Sequence, residues 1–248
     1  MLPEPFQALQ AAARTLPRTA VAPAVLLAGA TGALGNEMLR RLAGSGGFGP
    51  ILVLAREPII DGLRGVSCVV VAPEIDASWP QPAALTGVVL FDPPRLFYDR
   101  ERALWTPRPD QFRAVAGWMR GCGVRTLVVV LPHAQGRLPE ALKRGLASLD
   151  EQAVAALGFE RVLFVRSAQK PQAAVLKGFL NRAGHWMLAS VRFMVPSSEQ
   201  PVRAAKVAEL VTAALQLAPP GIHVAAPELV WQAAQGNLRE LVKSWLGR

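Results

Sequence analysis

The sequence is short of the residues that build covalent or metal-based chemistry. Among its 248 residues there are two cysteines, Cys68 and Cys122, and three histidines, at 133, 185 and 223. Two scattered cysteines make no disulfide framework, and with so few histidines they offer no zinc-ligand spacing. There is a single tyrosine, Tyr98. Acidic residues number 18 against 27 Lys and Arg, for a formal charge of +9. That surplus suits an anionic partner; it is equally the mark of an Arg- and Ala-rich coding bias with no partner behind it. No apolar run approaches the ~20 residues that a membrane-spanning helix needs. Triplet and heptad repeats are missing, which excludes collagen and coiled coil. The start, Met1-Leu2-Pro3-Glu4-Pro5, lacks the basic, apolar and cleavage segments of a signal peptide, so a cytoplasmic location is expected.

What is present is apolar bulk: 51% of residues are hydrophobic and 18% charged. Disordered chains cannot carry that much apolar side chain. After an extension over 1–22, compact apolar runs at 24–28, 51–54, 66–71, 88–91, 127–131, 161–165 and 222–225 read as buried strands. Between them, 33–43, 110–121, 139–157, 172–188, 201–217 and 227–246 read as helices, with a short extended piece at 191–195. Apolar strands alternating with amphipathic helices predict an α/β fold, a doubly wound and mostly parallel sheet covered on both faces. A strand order of 3-2-1-4-5-6 is expected, in one Rossmann domain over 23–248 with a small C-terminal cap at about 167–200. The Pro- and Arg-rich stretch 92–109 exceeds ordinary connection lengths, so it is either functional or mobile.

The strongest signal is Gly29-Ala30-Thr31-Gly32-Ala33-Leu34-Gly35, set between a strand and a helix. That context marks a dinucleotide-binding loop. The first glycine lets the chain turn off the strand, the middle one lets backbone approach a pyrophosphate, and the last lets the helix pack against the sheet. The helix N-terminus adds free N–H groups and partial positive charge. Gly29, Thr31, Gly32, Ala33, Leu34 and Gly35 are therefore candidate cofactor-binding residues.

Val25 to Gly35, with this Gly-x-x-Gly-x-x-Gly spacing, resembles the short-chain dehydrogenase/reductase superfamily, in particular its atypical NmrA-like and Tat-interacting-oxidoreductase-like branch. The likeness spans roughly 24–226, specific in the first 60 residues and loose later, where Phe159–Arg166 and the Val207-Ala208 pair carry it. It implies a nicotinamide dinucleotide. The second strand ends Leu54-Ala55-Arg56, where an NAD enzyme usually places Asp or Glu for the ribose. A guanidinium matches a 2′-phosphate, so Arg56 favours NADP over NAD, although Glu57 beside it is able to take the ribose.

Against the resemblance, the family's catalytic groups are missing. Its Tyr-x-x-x-Lys pair belongs on the helix after the fifth strand, which has no tyrosine, and the strand ends Leu131-Pro132-His133 without a serine. The proton-transfer candidates that remain are His133, near neutral in its ordinary pKa, and Lys143. Tyr98 and Arg102 repeat the spacing, but on an irregular stretch. Phe91 and Asp92 stand where the family's chain runs beside the cofactor; the following Pro93 and Pro94 remove backbone donors, and an Asp92 carboxylate facing the pyrophosphate would repel it.

Between Glu160 and Glu199 there is no acid, while Arg161, Arg166, Lys170, Lys177, Arg182 and Arg192 fall inside. In the resembled fold this region covers the substrate, so it suits a small anionic ligand; nucleic acid is disfavoured because no aromatic RNA-binding motif accompanies it. Oligomerisation is compatible with the chain. Three readings stay open: an NADP(H)-binding module without standard reductase chemistry, an NADPH-dependent oxidoreductase with an unusual proton donor or a quinone-like acceptor, and a partner-binding protein on a relic Rossmann fold.

Overall fold

The computed structural model describes residues 23–59, 64–95, 98–133, 145–146, 148–168 and 202–247. Its centre is a seven-stranded parallel sheet: β1 (Val25–Ala28), β2 (Ile51–Ala55), β3 (Val66–Val70), β4 (Thr86–Leu90), β5 (Thr126–His133), β6 (Arg161–Ala168) and β7 (Gly221–Ala225). The order is β3-β2-β1-β4-β5-β6-β7, the expected order with β7 appended at one edge. β1 pairs with β2 (Val25 opposite Ile51) and with β4 (Val25 opposite Thr86). The chain therefore reverses its direction of winding between β1 and β4, the crevice where doubly wound sheets bind ligands.

Helices cover both faces. On one lie α1 (Gly32–Gly44), α5 (Ala204–Leu217), α6 (Pro227–Gln235) and α7 (Leu238–Trp245); on the other lie α3 (Phe112–Gly121) and α4 (Leu149–Ala155). Alternation along β1 shows why its four apolar residues are needed: Val25 and Leu27 fill the first layer, Leu26 and Ala28 the second, and all four are fully buried. Each buried Val or Leu is worth roughly 1.5–3 kcal/mol relative to exposure. The second layer holds three tryptophans in edge-to-face contact, Trp79 with Trp105 at 5.0 Å and with Trp118 at 5.1 Å. Their indole N–H groups donate to the carbonyls of Glu74, Pro73 and Pro80 respectively, which satisfies the polar handle that burial would otherwise penalise.

Two expected helices differ. Over 139–157, the helix that is described begins only at Leu149, because Ser148 caps it by accepting from the Glu151 N–H at 3.1 Å. The expected helix over 227–246 is two helices, broken at Gly236 and Asn237, residues that leave a helix at little cost. The 1–22 extension, the helix over 172–188 and the cap beyond Ala168 lie outside the described residues. Among the described residues no helix is long and apolar enough to cross a membrane, and no group of three His, Cys, Asp or Glu is placed to hold a metal.

Candidate functional site

The glycine loop sits at the carboxyl end of β1, at the switch between β1 and β4, as its sequence context predicts. Gly29 has φ +81°, and a Cβ there would stand 2.0 Å from the Leu90 carbonyl oxygen of β4. Gly35 would place a Cβ 2.4 Å from the Ala30 carbonyl carbon, so its lack of a side chain lets α1 start tightly against the turn. Gly32, the residue that should make room for a pyrophosphate, has φ +69°; a Cβ on it would meet the Asp92 Cβ at 2.9 Å and the Pro93 oxygen at 3.1 Å. Its open side is filled by the chain that leaves β4.

Two carboxylates take the N–H groups of the first turn of α1. Gly32 N donates to Glu101 Oε2 at 3.0 Å, and Leu34 N donates to Asp92 Oδ2 at 3.3 Å. Thr31 precedes the helix without capping it; its hydroxyl donates to the Asp92 carbonyl and lies 2.9 Å from the Thr106 hydroxyl. Glu101 belongs to α2 (Asp99–Arg102), a single turn within the long 92–109 connection. Its carboxylate, 4% exposed, also accepts from Asn36 Nδ2 at 2.8 Å, Arg95 N at 2.8 Å and Arg95 Nε at 2.7 Å. Burial pushes the Glu101 pKa up, but the bonds from Arg95, Gly32 and Asn36 outweigh it and hold the carboxyl below its ordinary range. Asp92 has only the Leu34 N–H to offset desolvation, so its pKa is raised.

Beyond α2 the chain runs along the tips of β1 and β2. Arg56 N donates to the Ala103 carbonyl at 2.7 Å, Trp105 N to Leu54 O at 2.9 Å and Gly29 N to Trp105 O at 3.2 Å, while Leu104 forms an antiparallel bridge with Ala55. Trp105, 1% exposed, anchors this stretch in the tryptophan cluster. Segment 98–106 is thus a strap laid over the switch-point crevice. The N–H groups at the crevice suit an anionic group, and two carboxylates take them. The space does not: the Glu101 and Asp92 carboxylates already occupy the Gly32 and Leu34 N–H groups, and Asp92 and Pro93 fill the open side of Gly32, so this arrangement leaves no room for a pyrophosphate.

The sequence-predicted residues fall as follows. Gly29, Thr31, Gly32, Leu34, Gly35 and Asp92 converge at the crevice, whereas Ala33 is exposed on the first turn of α1. Arg56 stands exposed at the tip of β2, with Glu57 exposed next to it. Phe91 turns toward the second layer, its ring edge-to-face with Phe112 at 5.9 Å. His133 ends β5 opposite Ala168; its side chain and all of Lys143 lie outside the described residues. The Tyr98 ring lies under the Arg95 guanidinium at 3.7 Å, and Arg102 reaches Asp99 at 3.4 Å. In the basic stretch, Arg166 is buried against Glu151 at 2.8 Å and Arg161 donates to the Leu215 carbonyl at 3.3 Å, so these two cations serve the fold. Lys170, Lys177, Arg182 and Arg192 lie outside the described residues.

Sequence reasoning missed Glu101, Arg95, Asn36 and Trp105. Glu101 sits in Asp99-Arg100-Glu101-Arg102, which reads as solvated charge. The available signal was the excessive length of the connection together with the lone Trp105 in it.

No family model matches the sequence, and no curated protein matches it either. Solved structures resemble the chain at low identity. MoeE5 in complex with UDP-glucuronic acid and NAD is 16% identical, with 90% of this chain and 92% of that one covered and a TM-score of 0.47. A short-chain dehydrogenase/reductase superfamily protein from Agrobacterium tumefaciens with bound NAD is 13% identical over 82% and 77%, with a TM-score of 0.45. The Bordetella bronchiseptica enzyme WbmG in complex with NAD is 12% identical over 94% and 95%, with a TM-score of 0.37. Likenesses this distant say nothing about what this chain binds; the Rossmann-type α/β architecture stands on the strand order and crossovers of the chain itself.

Proposed function

We propose that this chain is a Rossmann-type binding module for a nicotinamide dinucleotide, NADP(H) ahead of NAD(H), without tyrosine-lysine reductase chemistry. The observation that carries this reading is the convergence of two carboxylates on the first-turn N–H groups of α1. A site that recruits its own anions is built for anions. With the turn that carries Glu101 lifted and the Asp92 side chain turned away, Gly32 N and Leu34 N would hold the pyrophosphate and exposed Arg56 the 2′-phosphate. The bound group would supply a hydride donor, but the sequence has no tyrosine on the helix after β5 to pass a proton to a substrate oxygen. Ketone reduction needs that proton, and general acid help is typically worth 10²–10⁴-fold. The expected role is therefore sensing or binding; an acceptor that takes a hydride without a protein proton donor, such as a quinone, would lose least.

Titration with NADPH and NADH, followed by a carbonyl and quinone turnover screen, tests this. NADPH should bind more tightly than NADH, and Arg56→Ala should weaken NADPH about tenfold or more while sparing NADH, as loss of one charge-assisted phosphate contact of roughly 1.5–3 kcal/mol requires. Equal losses would remove Arg56 from the 2′ position. A second reading, a partner-binding protein on a relic fold, draws on the glycines: all three meet this chain's own backbone or Asp92, so none needs a ligand to explain it. It would prevail if neither dinucleotide bound even after release of the strap.

A further inference from the structure

We infer that Glu101 is an internal substitute for a phosphate, and that the turn carrying it, Tyr98–Arg102, is an autoinhibitory latch on the glycine loop. The inference rests on the binding-module reading for its biological ligand, but its geometry stands apart from it. Glu101 brings a negative charge to the N-terminus of a 13-residue helix that has no acidic residue in its first turn and no capping side chain at Thr31. It is held there by Gly32 and Asn36 on the α1 side and by Arg95 on its own side. A carboxylate that only stabilised a surface turn would not need to be 4% exposed and to accept from α1 itself.

The latch has a fixed end and a releasable end. The fixed end is Trp105, buried in the tryptophan cluster and bonded through its backbone to Leu54 and Gly29. The releasable end is half in water: Tyr98 is 51% exposed, the Arg95 side chain 41%, and Arg102 with Asp99 forms an exposed pair. α2 meets α1 through Glu101, which accepts from Gly32 N and Asn36 Nδ2. Lifting that turn about Ala103 would uncover Gly32 N while leaving the Trp105 anchor in place. A ligand that binds only the open form has its affinity divided by the fraction open. A latch closed about 99% of the time weakens a phosphate ligand about 100-fold.

The test is hydrogen exchange over residues 29–36 in the wild type, Glu101→Gln and Arg95→Ala, alone and with inorganic pyrophosphate, then with NADPH. In the wild type the Gly32 and Leu34 amides should exchange slowly and respond little to millimolar pyrophosphate. In Glu101→Gln the Gly32 amide should exchange at least tenfold faster, regain protection with pyrophosphate, and bind it at least tenfold more tightly. Arg95→Ala should move in the same direction by less, and it carries the test if Glu101→Gln does not fold. Unchanged exchange and affinity in the folded variants would overturn the latch. So would loss of protection throughout β1 and β2 in both, because the segment would then be part of the core. Released amides that bind pyrophosphate but not NADPH would keep the latch and defeat the dinucleotide reading.

Discussion

The three loop glycines differ in what a methyl group would strike, and that difference sets an order of stability losses. Gly29→Ala is the worst: the new Cβ would sit 2.0 Å from a β4 carbonyl oxygen, at φ +81°, at the carboxyl end of the β1–β4 ladder. Neither strand can retreat without breaking the β1–β4 ladder, so a loss above ~4 kcal/mol is expected, the range reserved for backbone disruption. Gly35→Ala follows, since the Ala30 carbonyl carbon at 2.4 Å is also backbone. Gly32→Ala is milder. Its left-handed φ costs about 1–2 kcal/mol for an alanine, and its nearest atom is the Asp92 Cβ at 2.9 Å, which moves with an extended segment rather than a strand. Loss of the Leu34–Asp92 bond adds roughly 1–2 kcal/mol, and the stiffer unfolded chain returns about 0.4–1. The net is a loss of about 1–3.5 kcal/mol, or roughly 2–14 °C in Tm for a chain of this size. Gly44→Ala, at the end of α1 with nothing within 4 Å, should be neutral or stabilising by up to ~1 kcal/mol. Urea denaturation of the four variants gives the order directly. Gly32→Ala losing more than Gly29→Ala would refute the packing assigned to this loop.

Trp105→Ala should cost about 3–5 kcal/mol, because it empties a buried site and orphans the Pro73 carbonyl; a loss below ~1 kcal/mol by chemical denaturation would mean that the strap is not anchored there. Glu101, held below its ordinary range, contributes stability that is complete above the unfolded glutamate pKa of ~4.3 and is lost as pH falls through its folded value. Asp92, raised by burial, works with the opposite sign, its ionisation costing stability as pH rises from ~3.9. Denaturation midpoints followed from pH 6 to 3 should therefore fall more steeply for the wild type than for Glu101→Gln, and parallel curves would contradict the network around Glu101. Burial pushes the Cys122 thiol up to about 11, so iodoacetamide at pH 8 should alkylate half-buried Cys68 first; mass spectrometry finding Cys122 modified first would contradict its place under α3.

The fold was legible because β1, β2 and β4 are continuous apolar runs, and burial on both faces demands that pattern, whereas β3 and β7, at the sheet edges, are only partly buried. Strand order followed from one feature, the glycine loop, which marks β1 and hence the switch to β4. Helix limits were less legible where a local cap competes with periodicity: Ser148 starts α4 well inside a stretch whose charges and leucines suit a longer helix. The site was half legible. Gly32 and Leu34 offer their N–H groups to anions, as their position implies; Leu34 takes Asp92, but the anion on Gly32 comes from residue 101, some 70 positions downstream. Nothing in Asp99-Arg100-Glu101-Arg102 distinguishes a buried acid from an exposed one. Only the tertiary path of the strap, set by Trp105 and by the unpaired tips of β1 and β2, brings Glu101 to α1.

Charge arithmetic at the head of α1 decides how any anionic ligand must enter. Asp92 and Glu101 bring two negative charges and Arg95 returns one positive. The helix end adds about half a positive charge, which leaves a small negative excess. A pyrophosphate diester would bring about two more negative charges into the same partly buried space, where like charges repel far more strongly than in water. Glu101 cannot relieve this by taking up a proton near neutral pH, because the bonds that hold it keep its pKa low. Asp92, with a raised pKa and one weak N–H contact at 3.3 Å, is the easier of the two to neutralise or turn away. A phosphate ligand must therefore exchange with Glu101 rather than join it. Until that exchange, the bonds from Arg95 N and Nε keep the carboxylate aimed at α1, so Arg95 holds the latch closed.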